Sequence, residues 1–322
     1  MTELLTSALT SLQTQLETII VGQKSLLERM VIATLAGGHV LLEGPPGLAK
    51  TTAVHALATG IDADYHRIQF TPDLMPSDLT GSEIYQPENG SFSFNPGPVF
   101  NQIVLADELN RAPPKVQSAL LEAMAEQQVS VGNHTHALPE FFMVLATQNP
   151  LEQFGTYPLP EALLDRFLFK CLLDYPGLEE EIEISRRARQ DDKGHLEASV
   201  IAQMKPADIL ALRRLVNEVH VEPGIESYAV RLVAATRNLK NYHDSWAGLV
   251  KTGASPRGSI ALLRAAMSRA LLMKRDYVIP EDINELAVDV LRHRLILDLS
   301  AEAEGVSADD IIRHLLNVID AP

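Results

Sequence analysis

A phosphate-binding loop is indicated by a short glycine- and proline-rich run that directly follows the apolar segment HVLLE. The run and its next residue are Gly44, Pro45, Pro46, Gly47, Leu48, Ala49, Lys50, Thr51 and Thr52. In a strand, loop and helix arrangement, successive backbone N–H groups and the positive helix end can surround phosphate oxygens. Lys50 would reach the β and γ oxygens, and the Thr51 hydroxyl would ligate Mg²⁺. We therefore expect these nine residues to bind ATP, with a plain connecting turn as the alternative.

Ala49 departs from the usual loop pattern, which has glycine immediately before the lysine. Alanine stays small, but its Cβ restricts the backbone more than glycine does. The pattern therefore predicts a variant of the phosphate-binding loop.

An acidic pair, Asp107 and Glu108, follows another apolar run, IVLA, at 103–106. A strand that ends there delivers both carboxylates to the carboxyl edge of an α/β sheet, where ligands bind. We expect Asp107 to hold Mg²⁺ through water and Glu108 to orient or deprotonate an attacking water. Alone, such a pair is more often an exposed loop or a helix start.

Alternating elements in the first half predict an α/β fold with a largely parallel sheet. The expected strands are the apolar runs at 39–43, 65–70, 103–108, 141–148 and 167–174. Most lack a polar face, as strands covered on both sides do. After Asp174 nearly all periodicity is helical, so we expect a nucleotide-binding core at 1–178 and an all-helical lid at 179–322, with a polar linker around 189–195.

Composition limits the possible environments and partners. The net charge of −15 disfavours nucleic-acid binding, because that affinity comes from neutralising many backbone phosphates. The single cysteine, Cys171, excludes an internal disulfide and fits a reducing compartment. The start lacks a signal-peptide pattern, and no run reaches the ~18 apolar residues of a membrane span. We therefore expect a cytoplasmic protein.

The chain resembles the MoxR group of AAA+ ATPases, the branch that also holds magnesium chelatase subunits. The matching motifs span nearly the whole sequence: IVGQ at 20–23, GPPGLAKT at 44–51, RIQFTPDLMPSDLTG at 67–81, VLADELNRAPPKVQSALLEAM at 104–124, ATQNP at 146–150, GTYPLPEALLDRF at 155–167, GASPRG at 253–258 and RDYVIPEDI at 275–283. The resemblance implies a P-loop NTPase core with a five-stranded parallel sheet, followed by a helical lid. ATP hydrolysis with Mg²⁺ is the implied activity.

The same resemblance implies roles for residues that spacing alone does not reveal. Asn149 matches the sensor 1 residue that helps place the attacking water, although it could simply cap the next turn. Arg166 matches the arginine finger that reaches the γ-phosphate of a neighbouring subunit, and Arg257 matches sensor 2 in the lid. The loop that packs on adenine is matched by Val21, Gly22 and Gln23.

Two insertions, at about 71–100 and 128–137, match segments that contact clients or partners in this branch. Phe92 and Phe94 in the first insertion could serve such contacts or pack against the core. His134 and His136 would share one face of a hairpin strand, as metal ligands can, but no third ligand is evident nearby. An exposed hairpin face is the simpler interpretation.

The resemblance implies a homo-oligomer, a hexameric ring by analogy, that remodels a protein client or helps insert a metal or cofactor into it. A von Willebrand factor A-type protein is an implied partner. One alternative is a chelatase-type motor subunit that powers metal insertion into a porphyrin. Another is a nucleotide-gated scaffold with little turnover, against which the full set of Lys50, Asp107, Glu108, Asn149 and Arg166 argues.

Overall fold

The computed structural model describes residues 2–88, 90–150, 155–191, 201, 203–246 and 248–322. The predicted linker at 189–195 lies outside the described residues from 192 onward. The α-helices are α1 (Thr2–Ile19), α2 (Lys24–Ala36), α3 (Lys50–Gly60), α4 (Pro76–Thr80), α5 (Pro114–Glu126), α6 (Glu161–Leu164), α7 (Leu178–Asp191), α8 (Pro206–Val216), α9 (Pro223–Ala235), α10 (Pro256–Leu272), α11 (Pro280–Leu291), α12 (Leu299–Ala303) and α13 (Ala308–Val318). None of these described helices is long and apolar enough to cross a membrane.

The strands are β1 (His39–Glu43), β2 (Tyr65–Gln69), β3 (Gly81–Gln86), β4 (Ser91–Pro96), β5 (Ile103–Asp107), β6 (Gln128–Val131), β7 (His134–Ala137), β8 (Met143–Gln148), β9 (Phe167–Leu172), β10 (Val250–Thr252) and β11 (Ile296–Leu297). Five of them form one sheet in the order β2-β5-β8-β1-β9. In this sheet β2 pairs with β5, β5 with β8 and β8 with β1, each in parallel. The predicted fold class is therefore confirmed.

The central strands β1, β5 and β8 have apolar side chains and are buried along most of their length. All residues of the runs 103–106 and 143–146 are buried, as are 40–42. This full burial explains why these segments lack the alternating pattern of half-exposed strands. Strand β8 begins two residues later than predicted, at Met143, because its partner β5 begins at Ile103 and pairs with it there.

Two antiparallel hairpins extend from the predicted insertions. Strands β3 and β4 form one, and β6 and β7 form the other, at 128–137 as predicted. The Phe94 ring stacks on His136 at 3.8 Å between centroids, so it packs between the hairpins. Phe92 instead is 66% exposed and lies against Tyr85. The two phenylalanines are two residues apart and share one face of β4, and they differ because His136 and Phe100 cover Phe94 while only Tyr85 lies against Phe92.

The chain divides into two compact units, Met1–Leu159 with Cys171–Leu210, and Pro160–Lys170 with Ala211–Pro322. The first unit includes α7, whose Arg187 donates to Thr18 O of α1, whereas the predicted division at 178/179 assigns α7 to the lid. That division stays a prediction.

In the second unit, the helices α9, α10, α11 and α13 pack together around buried Tyr228. The unit also contains the antiparallel pair β10–β11, which helical periodicity does not predict.

Candidate active site

A cleft at the carboxyl edge of the parallel sheet collects most of the residues with predicted chemical roles. Its cavity volume is about 540 Å³, within the range of small-molecule sites. The lining residues are Pro46, Gly47, Leu48, Ala49, Lys50, Thr51, Thr52, Arg67, Asp107, Glu108, Thr147 and Asn149. All of them belong to the first unit.

The loop between β1 and α3 has the backbone of an anion cradle. Gly47 has φ +86°, and a Cβ built there would meet no heavy atom within 4 Å, so its backbone faces open space. Gly44 is held close to the last strand, because a Cβ there would lie 2.6 Å from Leu173 O. Helix α3 starts at Lys50, and its N-terminal N–H groups are free of intrahelical acceptors by geometry. This arrangement can bind a polyphosphate through backbone donors.

Lys50, at the end of this loop, places a positively charged side chain in the cleft. Its ammonium donates to Gly44 O at 2.7 Å. Partial burial lowers the pKa of Lys50, while the nearby carboxylates Asp107, Glu108 and Glu43 act in the opposite direction. Removal from water makes the charge costly, so a bound anion would stabilise it.

Asp107 is fixed by bonds from both neighbouring strands. Thr147 Oγ1 donates to its Oδ1 at 2.5 Å. Arg67 donates to its Oδ2 from Nε at 3.0 Å and from Nη2 at 2.6 Å. Because strands β2, β5 and β8 lie side by side, the three side chains meet at one sheet edge. The carboxylate is therefore oriented, with charge-assisted bonds, before any ligand binds.

Glu108 has a backbone conformation that its side chain disfavours, with φ 57° and ψ 49°. Ala49, opposite in the cleft, also has a positive φ of 53°. The other described non-glycine residues with positive φ, which are Asp62, Gln127 and Lys274, follow helix ends, where this conformation is common. The left-handed conformation costs of order 1–3 kcal/mol for a non-glycine residue and clusters at functional sites.

Two contacts hold Glu108 in this strained position. Its N–H donates to Thr147 Oγ1 at 2.9 Å, and its carboxylate pairs with Arg111 at 2.8 Å. One threonine hydroxyl thus contacts both members of the acidic pair. The two carboxylates have different partners, since Asp107 accepts from Thr147 and Arg67 while Glu108 pairs with Arg111.

Comparison with known proteins identifies the family. The family model for ATPases associated with various cellular activities (AAA) matches residues 39–169, and the AAA lid domain model matches residues 247–315. The chain is 46% identical to Chaperone MoxR1 of Mycobacterium tuberculosis over 96% of this chain and 81% of that protein. It is 34% identical to Protein MoxR of Methylorubrum extorquens over 94% of this chain and 92% of that protein. This chain belongs to the MoxR family of AAA+ ATPases.

Two further relatives cover nearly the full length of this MoxR-family chain. YeaC of Bacillus subtilis, an uncharacterized protein, is 47% identical over 94% of this chain and 92% of its own. The crystal structure of a candidate ATPase from Cytophaga hutchinsonii superposes with a TM-score of 0.92 at 45% identity. It covers 100% of this chain and 97% of that one. The enzyme is therefore an ATPase and binds a nucleotide.

Two cleft residues of this MoxR-family chain escaped the sequence analysis. Arg67 lies in β2, and its partner Asp107 ends the neighbouring strand β5. Thr147 follows Ala146, which pairs with Ala106, so it lies beside Asp107. Both residues fall inside the quoted motifs RIQF and ATQNP. A register assignment between the predicted strands could have identified them, because neighbours across parallel strands align at the sheet edge.

The predicted adenine loop is not among the residues that line the cleft. Gly22 has φ +77°, and a Cβ there would lie 2.7 Å from the Glu180 carboxylate. Gln23 donates from Nε2 to Asp174 O at 3.4 Å. Gly22 and Gln23 therefore lie beside the segment after β9, and the contact of Val21, Gly22 and Gln23 with adenine stays a prediction.

Arg166 and Arg257 belong to the second unit, unlike the other predicted catalytic residues. Arg257, at the start of α10, is largely exposed and pairs with Asp165 at 3.4 Å. Arg166 is half-buried just before β9, and its Nε is buried without a hydrogen-bond partner in the described structure. Their roles as sensor and finger stay predictions.

The donor set in the cleft fits magnesium, which prefers oxygen ligands. Thr51 supplies a hydroxyl and Asp107 a carboxylate in the same cleft.

His134 and His136 lie on β7 with ring centroids 6.5 Å apart, and His136 stacks on Phe94. Within the described residues, no cluster of three or more histidine, cysteine, aspartate or glutamate side chains forms a metal site.

Proposed function

We propose that this MoxR-family ATPase is a chaperone-like remodeler that uses ATP hydrolysis to act on protein clients. The observation that carries the proposal is the single cleft in which Lys50, Asp107, Glu108 and Asn149 meet. A scaffold that only bound nucleotide would have no need for the strained Glu108 turn. Its homologue Chaperone MoxR1 supports the chaperone-like role.

The proposed work of each cleft residue follows from its chemistry. Lys50 and the loop N–H groups bind the phosphates, and Thr51 and Asp107 hold Mg²⁺. The ion, when bound, neutralises charge on the phosphate oxygens. Glu108 accepts a proton from water or orients it, and the Asn149 amide helps to position that water. The presence of Glu108 in the lining of the cleft, with a left-handed backbone conformation, supports this assignment.

We further infer a ring, hexameric by family resemblance, in which each subunit completes its neighbour's site. Arg166 would stabilise charge on the γ-phosphate held by the adjacent subunit, and Arg257 would report nucleotide state from the lid. The location of both arginines outside the cleft-bearing unit supports a role that depends on assembly or movement. A von Willebrand factor A-type partner and a cytoplasmic location complete the proposal.

The β3–β4 hairpin supplies a candidate client-binding surface. Tyr85 is 53% exposed, and its ring lies 5.3 Å from that of the exposed Phe92 on the paired strand, while Ile84, the preceding residue, is 49% exposed. Adjacent exposed apolar side chains are typical of protein-binding surfaces. Unfolded or partly folded segments present complementary apolar groups, so such a surface suits a remodeler.

A light-scattering assay on thermally unfolding citrate synthase tests the proposal. Wild-type protein with ATP and Mg²⁺ should suppress aggregation, and its effect should disappear without nucleotide. The variants Lys50→Ala and Glu108→Gln serve as matched controls, because each retains the hairpin surface. Equal suppression by wild type and both variants, with or without ATP, would contradict an ATP-driven role.

A further inference from the structure

The short segment around the candidate finger Arg166 is held by one arginine from elsewhere in the second unit. Arg294 donates from Nη2 to Asp165 O at 3.2 Å and to Phe167 O at 2.8 Å. These carbonyls flank Arg166 on both sides. Arg294 Nε also donates to Asp165 Oδ1 at 3.0 Å. One guanidinium therefore fixes the backbone immediately before and after the finger.

Arg294 is itself fixed. Its side chain is only 3% exposed, and Nη1 donates to Val290 O in α11. The adjacent His293 places Nε2 2.9 Å from Phe167 O. A planar guanidinium offers five donors in a rigid fork, so it can join a helix end to two carbonyls and a carboxylate at once. A lysine has a single charged centre and could not reproduce this set.

The Arg166 side chain has little support of its own. Its Nε is buried without a hydrogen-bond partner in the described structure. The direction of the side chain therefore depends on the backbone from which it projects. A change of about 1 Å at a positioning contact can reduce catalysis by about 10²-fold.

The contact network also reaches the candidate sensor 2. Asp165 accepts from Arg294 through Oδ1 and pairs with Arg257 through Oδ2 at 3.4 Å. All of these residues belong to the second unit. The finger segment and the sensor are thus joined through one carboxylate.

We propose that Arg294 is a positioning residue that holds the backbone of Arg166 in the orientation needed for hydrolysis. The inference rests on the proposed role of Arg166 as a finger acting on a neighbouring subunit. Arg294 acts through Arg166 and not on the bound nucleotide. Its loss should therefore lower kcat and leave nucleotide binding in the cleft unchanged.

The test begins with steady-state ATPase kinetics of Arg294→Lys. We expect kcat to fall at least about tenfold, with KM for ATP within about twofold of wild type. The double variant Arg166→Ala/Arg294→Lys should be no slower than Arg166→Ala alone, because both changes disrupt the same interaction, that of the Arg166 side chain with the neighbouring site. Mixed with Lys50→Ala, which has an intact finger, Arg294→Lys should recover activity as Arg166→Ala does.

Arg275→Lys is the matched control for general loss of stability. Arg275 donates to both carboxylate oxygens of buried Asp282 in the same unit and does not contact the finger segment. We expect this control to lower Tm with an unchanged kcat. A kcat loss in Arg275→Lys as large as that in Arg294→Lys would overturn the positioning role.

Should Arg294→Lys fail to fold, Asp165→Ala replaces it, because the Asp165 side chain is partly exposed and supplies only one of Arg294's acceptors, while the Asp165 backbone carbonyl is retained. Its kcat should fall by about threefold, without adding to the loss in Arg166→Ala. A full kcat in whichever variant folds, beside an inactive Arg166→Ala, overturns the positioning role alone. Normal hydrolysis by Arg166→Ala overturns the proposed finger as well.

Discussion

Lys50 contributes the charge that the loop backbone lacks, and its loss should affect binding. Replacing Lys50 with alanine removes the ammonium that lies beside Gly44 O and the acidic pair. We expect ATP affinity to fall by at least about tenfold, because a charge-assisted bond to phosphate is lost. Equilibrium titration with a fluorescent ATP analogue measures the change. Unchanged affinity would contradict the assignment of this loop.

Glu108 should show the opposite behaviour. Glu108→Gln keeps the size of the side chain and removes the base, so ATP should still bind while turnover falls at least about 10²-fold. The same titration and a phosphate-release assay separate the two effects. The variant Arg111→Gln, which loses only the partner of the carboxylate, is the control. Full turnover in Glu108→Gln would place the catalytic base elsewhere.

Arg67 neutralises the carboxylate proposed to hold Mg²⁺. Its two bonds occupy Asp107 Oδ2, so Arg67→Gln should leave that oxygen available and more negative. The pair is partly exposed and worth about 1 kcal/mol, so the half-saturating Mg²⁺ concentration should fall by roughly twofold to fivefold. ATPase activity measured against Mg²⁺ concentration provides the test, with Arg67→Lys as the charge-retaining control. A higher Mg²⁺ requirement would show that Arg67 assists the ion.

The short helical turn at the end of α11 contains a histidine that should make the second unit sensitive to acid. Full burial, and then the neighbouring charge of Arg294, lower the pKa of His293 well below its ordinary 6.5. Its Nδ1 is buried without a hydrogen-bond partner in the described structure. The folded protein therefore keeps this ring neutral at pH values where the unfolded chain takes up a proton.

This difference gives a signed prediction for stability. As pH falls below about 6.5, the unfolded state gains the proton, so the free energy of unfolding decreases by at most about 1.4 kcal/mol per pH unit. His293→Gln has no titrating ring, and its amide can still donate to Phe167 O. Thermal unfolding between pH 8 and 5 should show a smaller Tm decrease for the variant than for wild type. Parallel curves would exclude a contribution from His293.

Hydrolysis in the proposed ring belongs to the interface between subunits, since the finger and the cleft act from different chains. Specific ATPase activity should therefore rise with protein concentration. Lys50→Ala carries an intact finger, whereas Arg166→Ala carries an intact cleft. Mixing these two inactive variants should restore part of the activity, because some interfaces join a good cleft to a good finger. An inactive mixture whose mixed rings are visible by native mass spectrometry would contradict action in trans.

The protein's local patterns were enough to predict its family, the parallel sheet, the phosphate loop and the acidic pair. Each of these depends on residues adjacent in the chain: an apolar run forms a buried strand, and GPPGLAKT follows it directly. Neighbouring residues share one element, so their spacing alone predicts their relative positions.

Contacts between distant residues required the folded chain. Arg67 and Thr147 each lie 40 positions from Asp107, and they meet it because the strand order places β2 and β8 on either side of β5. Arg294 lies 129 positions from Asp165, and packing in the second unit brings them together. Side chains from separate elements meet only when strand order, register and packing are set, and none of these is encoded in local spacing.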